Sequence, residues 1–197
     1  QLIITEANID FEAKDSYSVV IRSTDASFAH YDSTITVSVV DQNESPIELT
    51  PLDFSILENT SANPGIAIGS LSANDPDLNE TFIYSIVSGF DSDYFSITGS
   101  TLYFTHDSID YEQKDTYLTS ILVQDSGGNQ LAELISVNII DENESPNDLL
   151  NTEYQITDNT DAATGRSLGK LNAVDPDANE TFSYEILGGI NPALFSI

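Results

Sequence analysis

Three motifs in this chain recur at an offset of 100 residues. Ile9-Asp10-Phe11-Glu12 returns as Ile109-Asp110-Tyr111-Glu112, Asp41-Gln42-Asn43-Glu44-Ser45-Pro46 returns as Asp141-Glu142-Asn143-Glu144-Ser145-Pro146, and Asp75-Pro76-Asp77 returns as Asp175-Pro176-Asp177. A fixed period of this length is the mark of one folding unit used in series. The shared motifs are built from carboxylates rather than apolar residues, which points to something cationic bound once per repeat.

The register runs through the whole chain without a gap: 1–46 align with 101–146, and 58–97 with 158–197. Proline after each acidic motif suits a short stiff connection, because it fixes φ and removes a backbone donor. The chain therefore reads as the C-terminal half of a repeat (1–46), a complete repeat (47–146) and the N-terminal half of another (147–197). Beginning at Gln1 rather than Met, it is expected to be a segment of something longer.

Within a repeat the apolar period is two. Ser33–Val40 reads STITVSVV, Tyr17–Arg22 reads YSVVIR and Leu134–Ile140 reads LISVNII, all rich in β-branched residues. Further strand segments are expected at 67–71, 82–86, 94–97, 102–104 and 116–123, separated by Gly, Asn, Asp and Pro. No long stretch carries an apolar stripe at helical spacing, so helices should be absent or one turn long. About seven strands in about 100 residues predicts an all-β fold of tandem, seven-stranded, Greek-key immunoglobulin-like sandwiches. Phe82, Tyr84 and Phe95 fall at strand spacing and read as core or strand-face residues.

Charge and composition exclude several functions. With 33 acidic against 5 basic residues the formal net charge is −28, which repels nucleic acid and anionic membrane surfaces. There is no Cys for a disulfide or a thiolate metal site, and the unrepeated His30 and His106 read as solvated or capping residues. No apolar run approaches the length of a membrane span, so no direct insertion is expected. Ser, His and Lys form no repeated nucleophile constellation, and no glycine-rich phosphate loop is present; the chain is not expected to be an enzyme. The Asp75–Ile86 stretch departs from an EF-hand loop, having Glu80 where glycine is needed and Ile86 where a bidentate Glu is needed.

Acids that flank strands collect at the poles of a sandwich. Glu58 follows the first strand of the complete repeat, Asp110 and Glu112 precede the strand beginning at Thr116, and Asp141–Glu144 close its last strand. Asp175 and Asp177 lie in the following repeat and are expected to face the same junction. Seven carboxylates at one pole would repel one another on a scale that rivals the stability of a domain. Few basic residues are available to offset this, and a hard divalent cation with six to eight oxygen ligands, Ca2+ rather than Mg2+, is the economical solution.

The series Glu58-Asn59, Ala73-Asn74-Asp75-Pro76-Asp77, Ile109-Asp110-Tyr111-Glu112, Val123-Gln124-Asp125 and Asp141-Glu142-Asn143-Glu144-Ser145-Pro146 resembles a cadherin repeat, most narrowly the cadherin-like repeats of large bacterial surface proteins. The resemblance implies a linear array with up to three Ca2+ ions at each junction. At the second junction it implies ligation by Glu58, Asp110 and Glu112 from the lower repeat, Asp141, Asn143 and Glu144 around the linker, and Asp175 and Asp177 from the upper repeat. At the first it implies Asp10, Glu12, Asp41, Asn43, Glu44, Asp75, Asp77 and Asp125, while the counterpart of Glu58 would fall before residue 1. Asp25 is the mirror case, a ligand-type residue of a junction preceding the chain. Both junctions are thus expected to bind fewer or weaker ions than in an intact array, and the proline two residues after Glu44 and Glu144 departs from the longer linker of animal cadherins.

Two functions remain open on these residues. The first is a Ca2+-rigidified extracellular stalk or adhesion module at the cell surface, since Ca2+ modules of this kind suit extracellular rather than cytosolic calcium. The second is a calcium-dependent ligand-binding module for polysaccharide or another surface protein; the absence of Trp weighs against a stacking sugar platform. The two half repeats sum to almost one repeat, which predicts head-to-tail or homophilic self-association in which the half of one molecule completes that of a neighbour.

Overall fold

The computed structural model describes residues 1–6 and 8–197. Among them lie thirteen strands and two three-residue 3-10 turns, with no α-helix. The strands of 47–146 are β3 (Glu48–Thr50), β4 (Asp53–Leu57), β5 (Ile66–Ser70), β6 (Ser72–Asn74), β7 (Ile83–Val87), β8 (Phe95–Thr98), β9 (Thr101–Phe104), β10 (Thr116–Gln124) and β11 (Gln130–Ile140). One sheet has the order β4-β11-β10-β7 and the facing sheet the order β5-β9-β8. The seven expected strands appear as nine segments because two of them change partner midway. β3 pairs antiparallel with β6, the chain passes through Pro51, which has no donor for a ladder, and β4 then pairs parallel with β11. The other break is Leu71, between β5 and β6, whose N–H ends the β5–β9 register on Ser100 O at 2.7 Å before β6 turns to β3.

Period-two sequence places the core between these sheets. In β10, Tyr117, Thr119, Ile121 and Val123 are buried, and in β11 so are Ile135, Val137 and Ile139. Phe54, Ile56, Phe95, Leu102 and Phe104 meet them from the other strands. Phe104 stacks edge-on to both Phe95 and Tyr117, with ring centroids 5.3 and 5.0 Å apart. Phe82 and Tyr84 pack against this cluster. The Phe54 ring crosses Gly69 so closely that a Cβ there would lie 2.4 Å from Cε1, and Tyr154 repeats the contact over Gly169.

The flanking stretches show what a strand requires. Residues 1–46 contain β1 (Ser16–Thr24) and β2 (His30–Ser38), an antiparallel hairpin in the register of β10 and β11. In 147–197 only β12 (Asp148–Leu150) and β13 (Asn172–Val174) form, paired as β3 is with β6. Among the described residues 1–46 and 147–197 therefore carry two strands each. Residues 2–4 are in register with 102–104 but are not a strand, because the partners of β9 are β5 and β8, whose counterparts fall before residue 1. The counterparts of β4, β5, β7 and β8 in 147–197 likewise lack the counterparts of β11, β10 and β9, which fall after residue 197. A strand without its ladder leaves backbone groups to water and gains little over a coil.

Burial follows the same logic. Ile121 is fully buried, whereas its counterpart Ile21 is 39% exposed. Replacing Ile121 with Ala should therefore cost about 2–5 kcal/mol, while Ile21→Ala should cost below about 1 kcal/mol. Denaturant midpoints of the two variants check this, and equal losses would contradict it.

Candidate functional site

The carboxylates gather at the two ends of the complete sandwich. At one end Glu12, in the turn before β1, meets Asp41 and Glu44 from the segment after β2 and Asp77 from the loop after β6; their ligating atoms lie within 4.8 Å of one another. At the other end the equivalent atoms of Glu58, Asp110 and Glu112 form one such group, and those of Glu112, Glu144 and Asp177 a second. Glu112 belongs to both. The first cluster and the last thus draw on the same repeat positions 100 residues apart.

Local backbone geometry builds each cluster. Lys14 N–H donates to Asp10 O at 3.0 Å and Lys114 N–H to Asp110 O at 3.1 Å, closing the two turns that carry Glu12 and Glu112. Asp10 Oδ1 accepts from Ala13 N–H and Asp110 Oδ1 from Gln113 N–H, both at 2.9 Å. In the Asp-Pro-Asp loops, Asp77 N–H donates to Asp75 Oδ1 at 3.0 Å and Asp177 N–H to Asp175 Oδ1 at 3.1 Å. The linkers then cross to the next repeat: Glu44 N–H donates to Asp77 Oδ2, and Glu144 N–H to Asp177 Oδ2, each at 2.8 Å.

Glu58 is 1% exposed and has no basic partner; its Oε2 accepts Tyr111 N–H at 2.8 Å and its Oε1 accepts Glu142 N–H at 2.6 Å. These two bonds hold the turn before β10 and the segment after β11 against the end of β4. Among the described residues the two ion pairs are Arg22–Asp32 and Lys114–Asp91, neither of which touches a candidate acid.

The remaining candidates are placed less centrally. Asp141 lies outside the tight groups, yet beside Asp177 and Glu58. Asn143 turns its amide to Glu144 O at 2.6 Å rather than toward a carboxylate. Asp125 accepts Asn43 Nδ2–H at 2.9 Å through Oδ2 and Asn129 N–H at 2.8 Å through Oδ1, so it joins the first junction through a side chain of the preceding stretch. Asp25 closes its own turn instead, accepting Ser27 and Ala29 N–H groups.

Four contributors were given no site role on the sequence, although Asn59 stood in the Glu58-Asn59 motif. Asn59 donates its amide to Glu144 Oε1 at 2.5 Å. Asn129 donates to Asn43 O and Glu44 O at 2.9 and 2.7 Å, and Glu80 Oε2 accepts Ser126 N–H at 3.0 Å. Gly127 lies so close to Asn43 that a Cβ would stand 2.0 Å from its Oδ1. The available signal was a break in the repeat: Gly127-Gly128 stand where the first hairpin has Ser27-Phe28.

Mutual proximity raises the proton affinity of these acids. Burial, then the charges of Glu12, Asp77 and Asp41, holds the Glu44 carboxyl above the usual range. Burial does the same to Glu112, reinforced by Glu58, Glu144 and Asp141 against an opposing backbone hydrogen bond, and to Asp141, reinforced by Asp177 and Glu58. Burial raises Asp75 in company with Asp77, Asp125 and Glu80, although the Asp77 N–H opposes it. For Glu144 the Asn59 amide pulls down, and burial with Glu58, Asp177 and Asp141 outweighs it. Asp125 goes the other way: burial pushes it up, but the Asn43 amide and the turn N–H groups prevail.

Residues 52–145 match the family model for the cadherin domain. This part of the chain is a cadherin domain. The chain is 32% identical over 97% of its length to rat cadherin EGF LAG seven-pass G-type receptor 3, and 30% identical over 94% to human protocadherin-23, but spans only 6% of either relative. Among solved structures it resembles protocadherin gamma B7 extracellular cadherin domains 1–4, with TM-score 0.65 and 20% identity over 87% of this chain and 43% of that one. The protocadherin gammaB7 EC3–6 cis-dimer structure gives TM-score 0.66 and 22% identity over 89% and 46%. These likenesses support the cadherin-like sandwich. They do not support the narrower resemblance to bacterial surface proteins, because the relatives named here are animal proteins. A cadherin domain is an extracellular adhesion-type module rather than an enzyme, and no described helix is long and apolar enough to cross a membrane.

The raised carboxylates predict an unusual pH response in chelator. A raised folded-state pKa means that the folded form binds protons more tightly than the unfolded form, so stability rises as pH falls through the raised values toward the ordinary ones of 4.5 for Glu and 3.8 for Asp. The urea midpoint in chelator should be higher near about pH 5.5 than near about pH 7; an equal or lower midpoint at the more acidic pH would contradict it.

Proposed function

We propose that the chain is part of a Ca2+-rigidified extracellular cadherin array, in which 47–146 is one complete repeat, 1–46 and 147–197 belong to its neighbours, and cation binding at the two junctions locks successive sandwiches into a rod. The observation that carries this reading is a pair of buried carboxylate oxygens without partners. Asp75 Oδ2 and Glu144 Oε2 accept no hydrogen bond among the described residues, one beside each junction. Unpaired buried carboxylate oxygens are costly unless something positive meets them, and the fixed positive charge nearby is insufficient.

The donor set fits a hard cation. It consists of carboxylate oxygens with amide and backbone carbonyls close by, and contains neither thiolate nor imidazole, which suits calcium rather than zinc or copper. In the second junction Glu58, Asp110, Glu112, Asp141, Glu144, Asp175 and Asp177 would hold Ca2+, with Asn143 contributing around the linker. In the first, Glu12, Asp41, Glu44, Asp75 and Asp77 would do so, with Asp10, Asn43 and Asp125 around them. The bound ion would cancel the repulsion between acids of the lower repeat, the linker and the upper repeat. The chain's own linker bonds, Glu44 to Asp77 and Glu144 to Asp177, already bring those three parts together. Without the cation the like charges push the repeats apart, and the junction becomes a hinge.

Calorimetric titration should detect Ca2+ binding with a Kd of roughly 0.1–1 mM. Asp177→Asn should weaken the second junction at least about tenfold and leave the first unchanged. Small-angle scattering should show an extended, stiff particle in Ca2+ and a more flexible one in chelator; identical profiles would sink the proposal.

A further inference from the structure

Lys114 is the one Lys or Arg of residues 47–146, and it stands at the end of the turn that carries Asp110 and Glu112. Its N–H closes that turn on Asp110 O at 3.1 Å. In one turn of a helix, residues four apart bring their Cβ atoms about 5–6 Å from each other, and an acid preceding a lysine at this spacing is the favourable order for an ion pair. Local geometry therefore offers the Lys114 ammonium to Asp110. The ammonium goes elsewhere: it pairs with Asp91, just before the 3-10 turn Ser92–Tyr94, and lies 4.6 Å from the centre of the Tyr117 ring. Asp110 Oδ2 instead accepts the Gln113 side-chain amide at 2.6 Å.

Asp91 is fixed for this contact. Its side chain is 18% exposed, its Oδ2 accepts Leu118 N–H at 2.9 Å, and its own N–H donates to Leu118 O at 2.9 Å. Burial pushes the Asp91 carboxyl up, but the Lys114 ammonium and the Leu118 N–H prevail and hold it below the usual range. Burial, then Tyr94, Asp91 and Asp110, raises the Tyr117 phenol, so both carboxylates stand near the ring over which the ammonium lies. The alternative partner is thus at hand. A Lys114 released from Asp91 would turn its flexible stem to Asp110 and bring a positive charge to the group Glu58, Asp110 and Glu112, taking an oxygen from a bound cation and repelling it.

We propose that Asp91 is a positioning residue for the second junction: by retaining Lys114 it keeps Asp110 and its neighbours free for the divalent cation. The proposal rests on the Ca2+ reading given above. The turn from Asp10 to Lys14 repeats the spacing and seats its ammonium 4.4 Å from the centre of the Tyr17 ring, and among the described residues no acid pairs with it. The ring is the seat common to both turns; the carboxylate is what the complete repeat adds.

NMR of the whole chain tests this on the wild type, Asp91→Asn, Lys114→Gln and the double variant Asp91→Asn/Lys114→Gln. Asn accepts Leu118 N–H as Asp does, and Asn191 stands at this position of the following stretch. In chelator, contacts of the Lys114 side chain with the Tyr117 ring should give way in Asp91→Asn to contacts with residues 110–112. On addition of Ca2+, the amide signals of Glu144 and Asp177 should report about two- to fivefold weaker binding in Asp91→Asn, and those of Glu44 and Asp77 no change. The double variant should recover wild-type affinity, which a merely structural loss at Asp91 would not do, and Lys114→Gln alone should bind no more weakly than the wild type. Unaltered second-junction affinity in Asp91→Asn, a double variant as weak as the single one, or weaker binding by Lys114→Gln would each overturn the proposal. A wild-type chain that takes up no Ca2+ would overturn the cation reading, whereas a Lys114 that stays on Tyr117 in the chelated Asp91→Asn variant would overturn the role of Asp91 alone.

Discussion

Glu58 is a carboxylate buried at the end of β4 with no cation of the chain beside it, and its oxygens accept the N–H groups of Tyr111 and Glu142. Hydrogen bonds to a charged acceptor are worth more than neutral ones, and here they tie three acidic segments to one point. The cost is that Asp110 and Glu112 are drawn within 4.8 Å of Glu58, and Glu112 in turn within 4.8 Å of Glu144 and Asp177. The sandwich supplies rigid strand ends; the acids fixed to them cannot relax apart without undoing backbone bonds. That conflict is what a cation would relieve.

The interior needs no such partner. Its aromatic and β-branched side chains meet across two sheets, and the strands that form are those whose ladder partners are available. The contrast between the complete sandwich and its flanks makes this plain, since nearly the same sequence pattern gives β10 and β11 a buried face and leaves Ile21, Ile35 and Val37 of the hairpin exposed. Sheet formation here is a property of pairs rather than of segments.

The two faces of the complete domain divide the work. Charge is concentrated at the poles, where the chain continues from repeat to repeat. The outward residues of β7, β10 and β11 are uncharged, with Asp53 of β4 beside Ser136 of β11. The division follows from strand geometry: residues flanking strands reach the poles, and outward residues within strands reach the face, so one sequence can tune the two independently.

Much of this was legible in the sequence. The 100-residue register, the period-two apolar pattern and the acidic motifs by themselves determined an all-β repeat with carboxylates at its ends, because alternation and strand length constrain where side chains point. The split of the first strand between two sheets was not legible, since it depends on which neighbours offer free donors and acceptors around Pro51. Nor were the contacts of Asn59, Asn129 and Gly127, which join residues more than 80 apart, Asn59 with Glu144 and Asn43 with the turn at 125–129. Tertiary structure alone decided which acids stand together and which candidates, like Asn143 and Asp25, satisfy themselves locally, because a polar side chain's partner is set by distance through space and not by spacing along the chain.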